Sequence, residues 1–425
     1  MAGFPKTEGG KKQVFLTKLA LRNLARHRNR TLITSMIIAV AILFYLLMDS
    51  LIGGMTDMSF ATLIDYEVGH LQVADSHYWE DQEKLPIEDL LPMQIADHSN
   101  IRSIIGYQGS SPELDFAARL NNGVNELPVL GKGIIPGEFG NVVSFDDKYV
   151  EGEMFTLGEY RAVMGKRLAD LLKLEAGDYI TLLVKDKNKT FNTIEAEIAG
   201  LIHTPNPNVN SNIVYLPLDI VQQALDVGDA VSRIVIRLED KNLAGRAGQE
   251  LETRLLKIND VTRVYPWYEL EAVSVADAKN AAIKLMLGII LLIAAIAIIN
   301  NVILAALERM QEIGMMKAMG LEVKEIVYVF VMESTGIGIL GGAMGVLLGA
   351  IGVGFFARLG VDFTAWIDLN MADWGIPVLG RIYGSWNLAT FVQGFLFATL
   401  VSLLASILPA YWAADKDPIE AIYHL

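Results

Sequence analysis

Residues 285–320 read LMLGIILLIAAIAIINNVILAALERMQEIGMMKAMG, and this stretch decides the fold. Its first 23 residues, 285–307, carry no charge. At about 1.5 Å per helical residue, such a run is long enough to cross a hydrocarbon core of about 30 Å. The remainder, 308–320, is charged and too short to span. Its apolar residues recur at helical spacing: Met310, Ile313, Met316 and Met319. The pattern predicts a membrane span followed by a short amphipathic helix parallel to the membrane, which Gly320 would end.

Three further apolar runs, 31–48, 327–356 and 388–412, give four predicted spans in all. Residues 1–30, which precede the first run, contain eight Lys or Arg and a single acid, Glu8. Because Lys and Arg are enriched on the cytoplasmic side of spans, this end of the chain is predicted to be cytoplasmic. Four crossings then return the C-terminal end to the cytoplasm.

The predicted fold class is a membrane protein with four transmembrane α-helices and a large α+β extracytoplasmic domain inserted between helices 1 and 2. In chain order, the predicted segments are a basic amphipathic cytoplasmic segment (1–30), transmembrane helix 1 (31–55), the extracytoplasmic domain (56–279), transmembrane helix 2 (280–307), a cytoplasmic helix (308–325), transmembrane helix 3 (326–357), an extracytoplasmic loop (358–386), transmembrane helix 4 (387–412) and a cytoplasmic tail (413–425).

Composition excludes several classes of protein. The 425 residues are 52% hydrophobic and contain no cysteine, which argues against a disordered chain, a disulfide framework and thiolate metal sites. The net charge of −14 argues against binding of nucleic acid. The acids are concentrated in 56–279, with 36 Asp or Glu against 20 Lys or Arg, which suits an extracytoplasmic domain.

The segment before the first span is amphipathic at 100° per residue. Its two faces carry different residues: Leu16, Ala20 and Leu24 on one, and Lys18, Arg22 and Arg26 on the other. One interpretation is a helix lying on the anionic inner surface of the membrane. The other is a topology signal with no mechanical role.

The extracytoplasmic segment has strand-like and helix-like patterns in turn. The predicted strands are 69–75, 179–184, 194–202, 213–216 and 231–238, and the predicted helices are 167–172, 218–225 and 243–256. Residues 176–178 (AGD) predict a turn between a helix and a strand, and the Asn- and Pro-rich stretch 203–212 predicts a loop. The sequence predicts an α+β domain with a subdomain inserted in its middle.

Nothing in this domain resembles a catalytic or metal site. Its histidines are scattered through the sequence, at His70, His77, His98 and His203, without metal-ligand spacing. The carboxylate pairs Asp146–Asp147 and Glu151–Glu153 are interpreted as solvated loop charges. No nucleophile motif is present, so we expect no catalytic, cofactor-binding or metal-binding residues in this chain.

A glycine motif in the third span needs separate treatment. Residues 336–341 (GIGILG) match the dinucleotide fingerprint G-x-G-x-x-G, which requires a strand before it and a helix after it. Here the glycines lie inside an apolar span, where small residues at i and i+4 let helices approach closely. Helix packing is therefore favoured. The sequence also contains no P-loop motif, G-x-x-x-x-G-K-[ST].

Three charged residues lie within or beside the spans. Glu333 is about two turns into the third span, where it is interpreted as a helix-packing hydrogen bond, with a functional role as the alternative. Asp49 and Lys284 lie near the outer ends of the first and second spans, and we expect them to pair. The outer loop 358–386 is rich in aromatic residues, which indicates either anchoring at the membrane interface or a partner-facing surface.

The stretch ALERMQEIGMMKAMG (306–320) resembles the signature of the FtsX-like, MacB-type permease subunits of ABC transporters, Arg-x-x-Glu-Ile-Gly-x-x-Lys-Ala-Met/Leu-Gly. ALRNLARHRNRTLIT, ESTGIGILGGAMGVLLG, ILPAYWAADKDPIEAI and VMGKRLADLLKLEAGDYITL are similar to further landmarks of the family. The resemblance implies that the short helix couples to a separate ATPase subunit. The implied ATPase-coupling residues are Arg309, Met310, Glu312, Ile313, Gly314, Met316, Lys317, Met319 and Gly320.

The resemblance also implies a function. A non-catalytic permease subunit of the inner membrane, with both termini cytoplasmic, would transmit ATP-driven motion to the extracytoplasmic domain, and ATP would be bound by the partner. The strand GHLQV (69–73) and the overall size are similar to lipoprotein-releasing permeases, which implies lipoprotein or amphiphilic cargo. Alternatives are a drug or peptide efflux permease of the macrolide-pump type and a signal transmitter that activates an envelope enzyme. A second permease copy or paralogue is the expected partner in the membrane.

Overall fold

The computed structural model describes residues 7–26, 28–95, 99–143, 145–362 and 381–415. These residues form two compact units, one from 7–56, 279–362 and 381–415 and the other from 57–278. Most of the predicted aromatic loop 358–386 and the tail residues 416–425 lie outside the described residues.

The helices and strands are named in chain order, apart from single 3-10 turns. The helices are α1 (Thr7–Arg26), α2 (Arg28–Leu63), α3 (Ser76–Glu80), α4 (Ser99–Arg102), α5 (Pro136–Phe139), α6 (Lys166–Leu172), α7 (Pro207–Asn212), α8 (Leu218–Leu225), α9 (Ala244–Leu255), α10 (Glu271–Leu307), α11 (Met310–Ala318), α12 (Val323–Leu359) and α13 (Leu388–Asp415). The strands are β1 (Leu71–Asp75), β2 (Leu91–Pro92), β3 (Tyr107–Asn121), β4 (Glu126–Ile134), β5 (Tyr149–Gly152), β6 (Arg161–Gly165), β7 (Tyr179–Lys185), β8 (Phe191–Ile202), β9 (Ile213–Pro217), β10 (Ala230–Val231), β11 (Arg233–Leu238), β12 (Thr262–Pro266), β13 (Val361–Asp362) and β14 (Arg381–Ile382).

Four helical segments among the described residues are long and apolar enough to cross a membrane, as predicted from the sequence. They are Arg28–Val68, which is α2 with a π-helical turn after it, then Lys284–Leu307, Val323–Leu359 and Leu388–Asp415. Their lengths of 41, 24, 37 and 28 residues all exceed the roughly 20 residues that a bilayer core requires. The chain therefore has the helices of a multi-pass membrane protein.

The glycines of α12 are packing positions. A methyl group at Gly341 or Gly345 would lie 2.7 or 2.8 Å from the Cβ atom of Ile38 or Ile42 on α2, which is closer than Cβ atoms can approach. The motif 336–341 lies within the uninterrupted helix α12, so no strand precedes it as a dinucleotide site would require. The interpretation of these glycines as helix-packing residues is confirmed.

The amphipathic helix α1 has its apolar stripe against protein. Leu16 and Ala20 are buried in a cluster with Val329 of α12, and Thr17 Oγ1 lies 3.1 Å from the hydroxyl oxygen of Tyr328. The basic residues of the opposite face are exposed: Lys18, Arg22 and Arg26. The stripe thus fixes α1 to the third span, while the positive charges stay on its open side.

The second unit is built on a ten-stranded mixed sheet. Its strand order is β12-β1-β11-β3-β4-β9-β6-β8-β5, with β7 paired to both β3 and β8. The pairs β4–β9 and β6–β8 are parallel, whereas β1 is antiparallel to both β11 and β12. Apolar side chains from the sheet and from α6, α8 and α9 form the largest buried cluster. This architecture agrees with the predicted domain of mixed strands and helices.

Most local predictions in this unit agree with the structure within one or two residues at each end. The predicted strands correspond to β1, β7, β8, β9 and β11, and the predicted helices to α6, α8 and α9. Gly177 has a φ of +96°, which the predicted turn at 176–178 requires. Alternation of apolar residues located these five strands, but β3, β4, β5, β6 and β12 were not predicted.

The predicted loop 203–212 is wrong in its second half, which forms α7. The Asn206 side chain caps this helix by accepting a hydrogen bond from the Asn208 backbone N–H at 2.9 Å. Pro207 occupies the first helical position, where its missing N–H costs nothing. Asparagine and proline were interpreted as turn residues, but at these two positions they start a helix.

Candidate coupling site

The short helix α11 is joined stiffly to α12. Gly320 has a φ of +92° and its N–H donates to the Lys317 carbonyl at 3.0 Å, while the Leu321 N–H donates to the Met316 carbonyl at 3.2 Å. These two bonds are a Schellman motif, which a residue with a side chain disfavours at the Gly320 position. The sequence prediction that Gly320 ends the helix is confirmed.

The next helix starts almost at once. Glu322 caps α12 in a capping box, in which Glu322 and Glu325 each accept a hydrogen bond from the other's backbone N–H. On the other side, only Glu308 and Arg309 separate α10 from α11. Because both junctions are short and hydrogen-bonded, α11 cannot swivel freely between α10 and α12.

One face of α11 packs against the helices of its own unit. Met310 is 5% exposed and Ile313 is 1% exposed. Both belong to a buried cluster that joins α10, α11, α12 and α13, whose other members are Ala306, Ile326, Phe330, Ala410, Ala413 and Ala414. The Lys317 ammonium donates to the Asp415 carbonyl at 3.1 Å and so ties α11 to the end of α13. Gly314 is also buried on this face.

The opposite face of α11 is open. Met315 is 51% exposed and Met319 is 73% exposed, and Gln311 and Ala318 are exposed between and beside them. We call these four residues the outer face of α11. Among the residues predicted to couple, Met319 and Gly320 lie on the exposed side, Glu312, Met316 and Lys317 are partly exposed, and Arg309, Met310, Ile313 and Gly314 are buried.

A buried ion cluster lies where α11 begins. Arg309 is 4% exposed and Glu333 of α12 is 3% exposed, and the Arg309 Nη1 atom donates to Glu333 Oε2. Arg30, near the start of α2, approaches Glu333 Oε1 to 3.7 Å through its Nη2 atom. Glu333 thus has two arginine partners from two different elements. Its interpretation as a simple helix-packing hydrogen bond understated the contact, because the carboxylate is ion-paired.

Two further carboxylates surround this cluster. Glu308 Oε2 lies 3.9 Å from Arg30 Nη1, and Glu312 Oε2 lies 3.9 Å from Arg309 Nε. Both are more exposed than Glu333, with side chains 52% and 40% exposed. Since exposed pairs contribute little, the Glu333 carboxylate is the principal counter-charge for both arginines.

Arg30 belongs to this site, but sequence reasoning did not include it. It was counted only as one of eight basic residues that set the orientation of the first span. A signal was nevertheless available, because Arg30 and Glu333 lie at the same end of the first and third predicted spans. An unpaired carboxylate inside a span requires a cation at its own depth, and Arg30 and Arg309 are among the cations that flank this end of the spans.

Asp49 has other partners than the predicted Lys284. Its carboxylate accepts hydrogen bonds from the side chains of Asn387 and Thr390, at the start of α13. The Lys284 side chain is exposed. The expected ion pair is therefore corrected, because polar groups at the first turn of α13 satisfy the Asp49 carboxylate.

The unit 57–278 contains a second charged cluster, which belongs to its sheet. Lys132 Nζ lies 3.0 Å from Glu113 Oε2, and Arg233 Nη2 pairs with Asp115. The four side chains come from β3, β4 and β11, and their formal charges cancel. Their pairing across three adjacent strands marks them as part of the sheet core rather than as an acid–base site.

The described histidines of this unit do not assemble a metal site, and His98 lies outside the described residues. Burial lowers the pKa of His70 to about 4, and its Nδ1 atom accepts a hydrogen bond from the Leu238 N–H at 3.2 Å. His77 Nδ1 lies 3.2 Å from Asp75 at the start of α3. Within the described ranges, no group of three or more His, Asp or Glu side chains is placed to hold a metal ion.

Comparison with known proteins identifies both units. A model described as FtsX-like permease C-terminal matches residues 284–418, and a model described as MacB-like periplasmic core domain matches residues 31–254. The lipoprotein-releasing system transmembrane protein LolC of Xylella fastidiosa is 22% identical over 323 residues, which cover 74% of this chain and 77% of LolC. The macrolide export ATP-binding/permease protein MacB of Psychrobacter arcticus is 22% identical over 429 residues, which cover 95% of this chain and 59% of MacB.

Solved structures include similar domains. The periplasmic region of MacB from Actinobacillus actinomycetemcomitans is 12% identical, covers 52% of this chain and 95% of its own, and has a TM-score of 0.35. The extracellular domain of the transporter YknZ is 12% identical, covers 46% of this chain and 98% of its own, and has a TM-score of 0.34. Since one family model spans more than half of the 425 residues and the other spans the three C-terminal helices with α11 between them, the chain belongs to the FtsX-like, MacB-type permease subunits of ABC transporters.

Proposed function

We propose that this chain is the permease subunit through which a separate ATPase subunit drives the extracytoplasmic domain 56–279, for the release of lipoprotein or other amphiphilic cargo. ATP binds to the partner and not to this chain. The protein lies in the inner membrane with both termini in the cytoplasm, beside a second permease copy or a paralogue. The observation that carries the proposal is the construction of α11, a short stiff helix with one buried face and one open face.

The outer face of α11 suits a docking surface for the ATPase. Met315 and Met319 offer flexible, polarizable side chains that adapt to a partner surface. A partner that contacts them differently in its nucleotide-bound and nucleotide-free states would bias the position of α11. Because α11 is fixed to α12 and α13 through its inner face, that bias would reach the spans.

The ion cluster supports transmission from α11 into the bundle. Arg309 begins α11 and shares the Glu333 carboxylate with Arg30 of α2. If α11 shifted while α2 and α12 stayed in place, the ion pairs of Glu333 with Arg309 and Arg30 would separate. Separating buried charges is costly, so the three helices are expected to move together. This cluster would make the first, second and third spans respond together.

Lipoprotein cargo is favoured by the relatives. Proteins named as lipoprotein-releasing transmembrane proteins match over most of their own length. The macrolide exporters carry an ATP-binding function in the same polypeptide, and this chain spans about half to three fifths of their length. Because the chain covers 77% of LolC but only 46–59% of the macrolide exporters, we take the lipoprotein-releasing relatives as the model for this chain.

The test uses the full-length protein, purified with its ATPase subunit and reconstituted in proteoliposomes that contain a triacylated model lipoprotein. Met315→Glu with Met319→Glu places two charges on the outer face of α11 without touching the buried face. We expect binding of the ATPase to weaken at least tenfold and ATP-dependent release of the lipoprotein to be lost.

The matched control is Val124→Glu, an 86% exposed apolar residue in the β3–β4 turn of the other unit. It should leave both ATPase binding and lipoprotein release unchanged. Normal release by the double methionine variant would contradict docking at α11. ATP-dependent transport of a macrolide by the unmodified complex, without lipoprotein release, would instead favour the efflux alternative.

A further inference from the structure

The end of α2 has an unusual geometry. After Leu63 the helix continues as a π-helical turn, Ile64–Val68, and the Gly69 N–H closes it by donating to the Ile64 carbonyl at 3.0 Å. Gly69 has a φ of +65°, and a Cβ atom there would lie 2.5 Å from Val235. Single π turns are rare and occur preferentially at functional sites. This turn also presents two carboxylates, Asp65 and Glu67, to the folded unit around it.

Glu67 is held by two amides at the start of α7, in the segment 204–212. Its Oε2 atom accepts from Asn206 Nδ2 at 2.7 Å, and its Oε1 atom accepts from Asn208 Nδ2 at 2.6 Å. Hydrogen bonds to a charged acceptor are roughly twice as strong as neutral ones, and a bidentate arrangement fixes direction as well as distance. We call Glu67, Asn206 and Asn208 the carboxylate clamp.

The segment 204–212, which provides the amides and includes α7, is held by its own hydrogen bonds. Thr204 and Asn210 are both buried, and Asn210 accepts from the Thr204 N–H at 2.8 Å while donating to the Thr204 carbonyl at 2.7 Å. Gly165 lies so close that a Cβ atom there would be 2.1 Å from the Asn210 carbonyl oxygen. A force applied to the clamp is therefore passed to β6 and α6 rather than absorbed by the loop.

A second contact holds the same turn to the sheet. Arg237 of β11 donates to Asp65 Oδ1 through Nη2 at 2.7 Å, and to the Val142 carbonyl through Nη1 at 3.2 Å. Asp65 and Glu67 thus attach one turn of helix to two separate parts of the unit 57–278. The Arg237 contact is partly exposed, with side chains 27% and 41% exposed, whereas one partner in the Glu67 clamp, Asn206, is only 4% exposed.

We propose that Glu67 is a positioning residue, and that its clamp to Asn206 and Asn208 is the joint by which displacement of α2 is delivered to the unit 57–278. The inference depends on the proposed function. The clamp stays closed throughout the cycle, so that the π turn moves together with the loop 204–212. Without it, the turn keeps its backbone connection through Gly69 and the contact of Asp65 with Arg237, but its link to Asn206 and Asn208 is lost.

The test measures amide hydrogen exchange of the full-length protein in complex with its ATPase subunit, with and without trapped ATP. In the unmodified complex, exchange in the loop 204–212 is expected to change at least threefold on nucleotide trapping. Glu67→Ala is expected to abolish this change while ATP hydrolysis stays within twofold of normal. Glu83→Ala, which removes an exposed carboxylate of the same unit, is the control and should behave as the unmodified complex does.

A rescue experiment separates loss of the joint from loss of folding. The chain contains no cysteine, so Glu67→Cys with Asn208→Cys introduces the only two thiols. Linking them with a short bis-thiosulfonate reagent is expected to restore the nucleotide-dependent exchange, and dithiothreitol should abolish it again. If Glu67→Ala keeps the nucleotide-dependent exchange, or if the linker does not restore it, the proposal for the clamp is wrong but the proposed function is not contradicted. No response anywhere in 57–278 of the unmodified complex would overturn the proposed function and the joint together.

Discussion

At the scale of single residues, Glu333 holds three helical segments together at one end of the helix bundle. A carboxylate within a span is costly unless it is paired, and here Arg309 and Arg30 both approach it. One carboxylate here serves two arginines, whereas an ordinary ion pair joins one carboxylate to one cation. Removal of the carboxylate would leave one buried and one partly buried guanidinium group facing each other.

Glu333→Gln is therefore expected to lower the free energy of unfolding in detergent by about 3–5 kcal/mol, because an uncompensated buried charge remains. Glu312→Gln removes a partly exposed partner of the same arginine and is expected to cost less than about 1 kcal/mol. The midpoint of thermal unfolding of both variants gives the comparison. Equal shifts would contradict a special role for Glu333.

The limits of sequence reasoning also appear at this scale. Glu333 was identified because a charge in an apolar run stands out, and Glu312 and Arg309 because they match a motif. Arg30 and Glu67 were not identified as site residues, because nothing in their own neighbourhoods is unusual. Their partners lie 303 and about 140 residues further along the chain, and only the fold brings them together.

At the scale of elements, periodicity located α11 but did not show which way it faces. Met310 and Ile313 belong to an apolar stripe that looked suitable for a partner, and the helices of the same unit cover both residues. The outer face instead contains Met315, which lies off that stripe. A stripe of apolar residues indicates that the stripe is buried. It does not show whether the covering surface belongs to the same chain or to a partner protein.

The contact of α12 with α2 makes a second prediction. Gly341→Ala is expected to destabilise the protein by about 1–3 kcal/mol, because the added methyl group would lie 2.7 Å from Ile38 Cβ and 2.9 Å from the Ser35 carbonyl oxygen. Gly288→Ala, in α10, meets nothing within 4 Å and should be neutral or stabilising. Thermal unfolding in detergent compares them, and a neutral Gly341→Ala would show that the helices separate without cost.

At the scale of the whole molecule, hydropathy was sufficient to find the four long helices, because apolar runs of 18 or more residues have few alternatives. The order of strands in the sheet could not be predicted from the sequence. It depends on pairings between residues far apart in the sequence, and alternation of apolar residues indicates a strand without naming its neighbour. The four-helix plan was therefore predictable, whereas the strand order and the carboxylate clamp were not.

The proposed topology makes a third prediction. Because the chain contains no cysteine, a single introduced cysteine can be labelled without first removing others. Single cysteines at Val124 and Met319, which are 86% and 73% exposed, should label on opposite sides of the membrane. In spheroplasts, a membrane-impermeant maleimide is expected to react with Val124→Cys at once and with Met319→Cys only after permeabilisation. Labelling of Met319→Cys in intact spheroplasts would contradict a cytoplasmic α11.

The position of β1 in the sheet has a consequence for biosynthesis. This strand precedes almost all of the unit, yet both of its neighbours come last, since Leu71 pairs with Ile236 of β11 and with Pro266 of β12. Pairings across such long separations form slowly and late. While the chain is being synthesised, both edges of β1 stay unpaired until β11 has been made, and the edge that pairs with β12 stays unpaired for longer still. The nascent domain is therefore most vulnerable to aggregation and proteolysis just before its own completion.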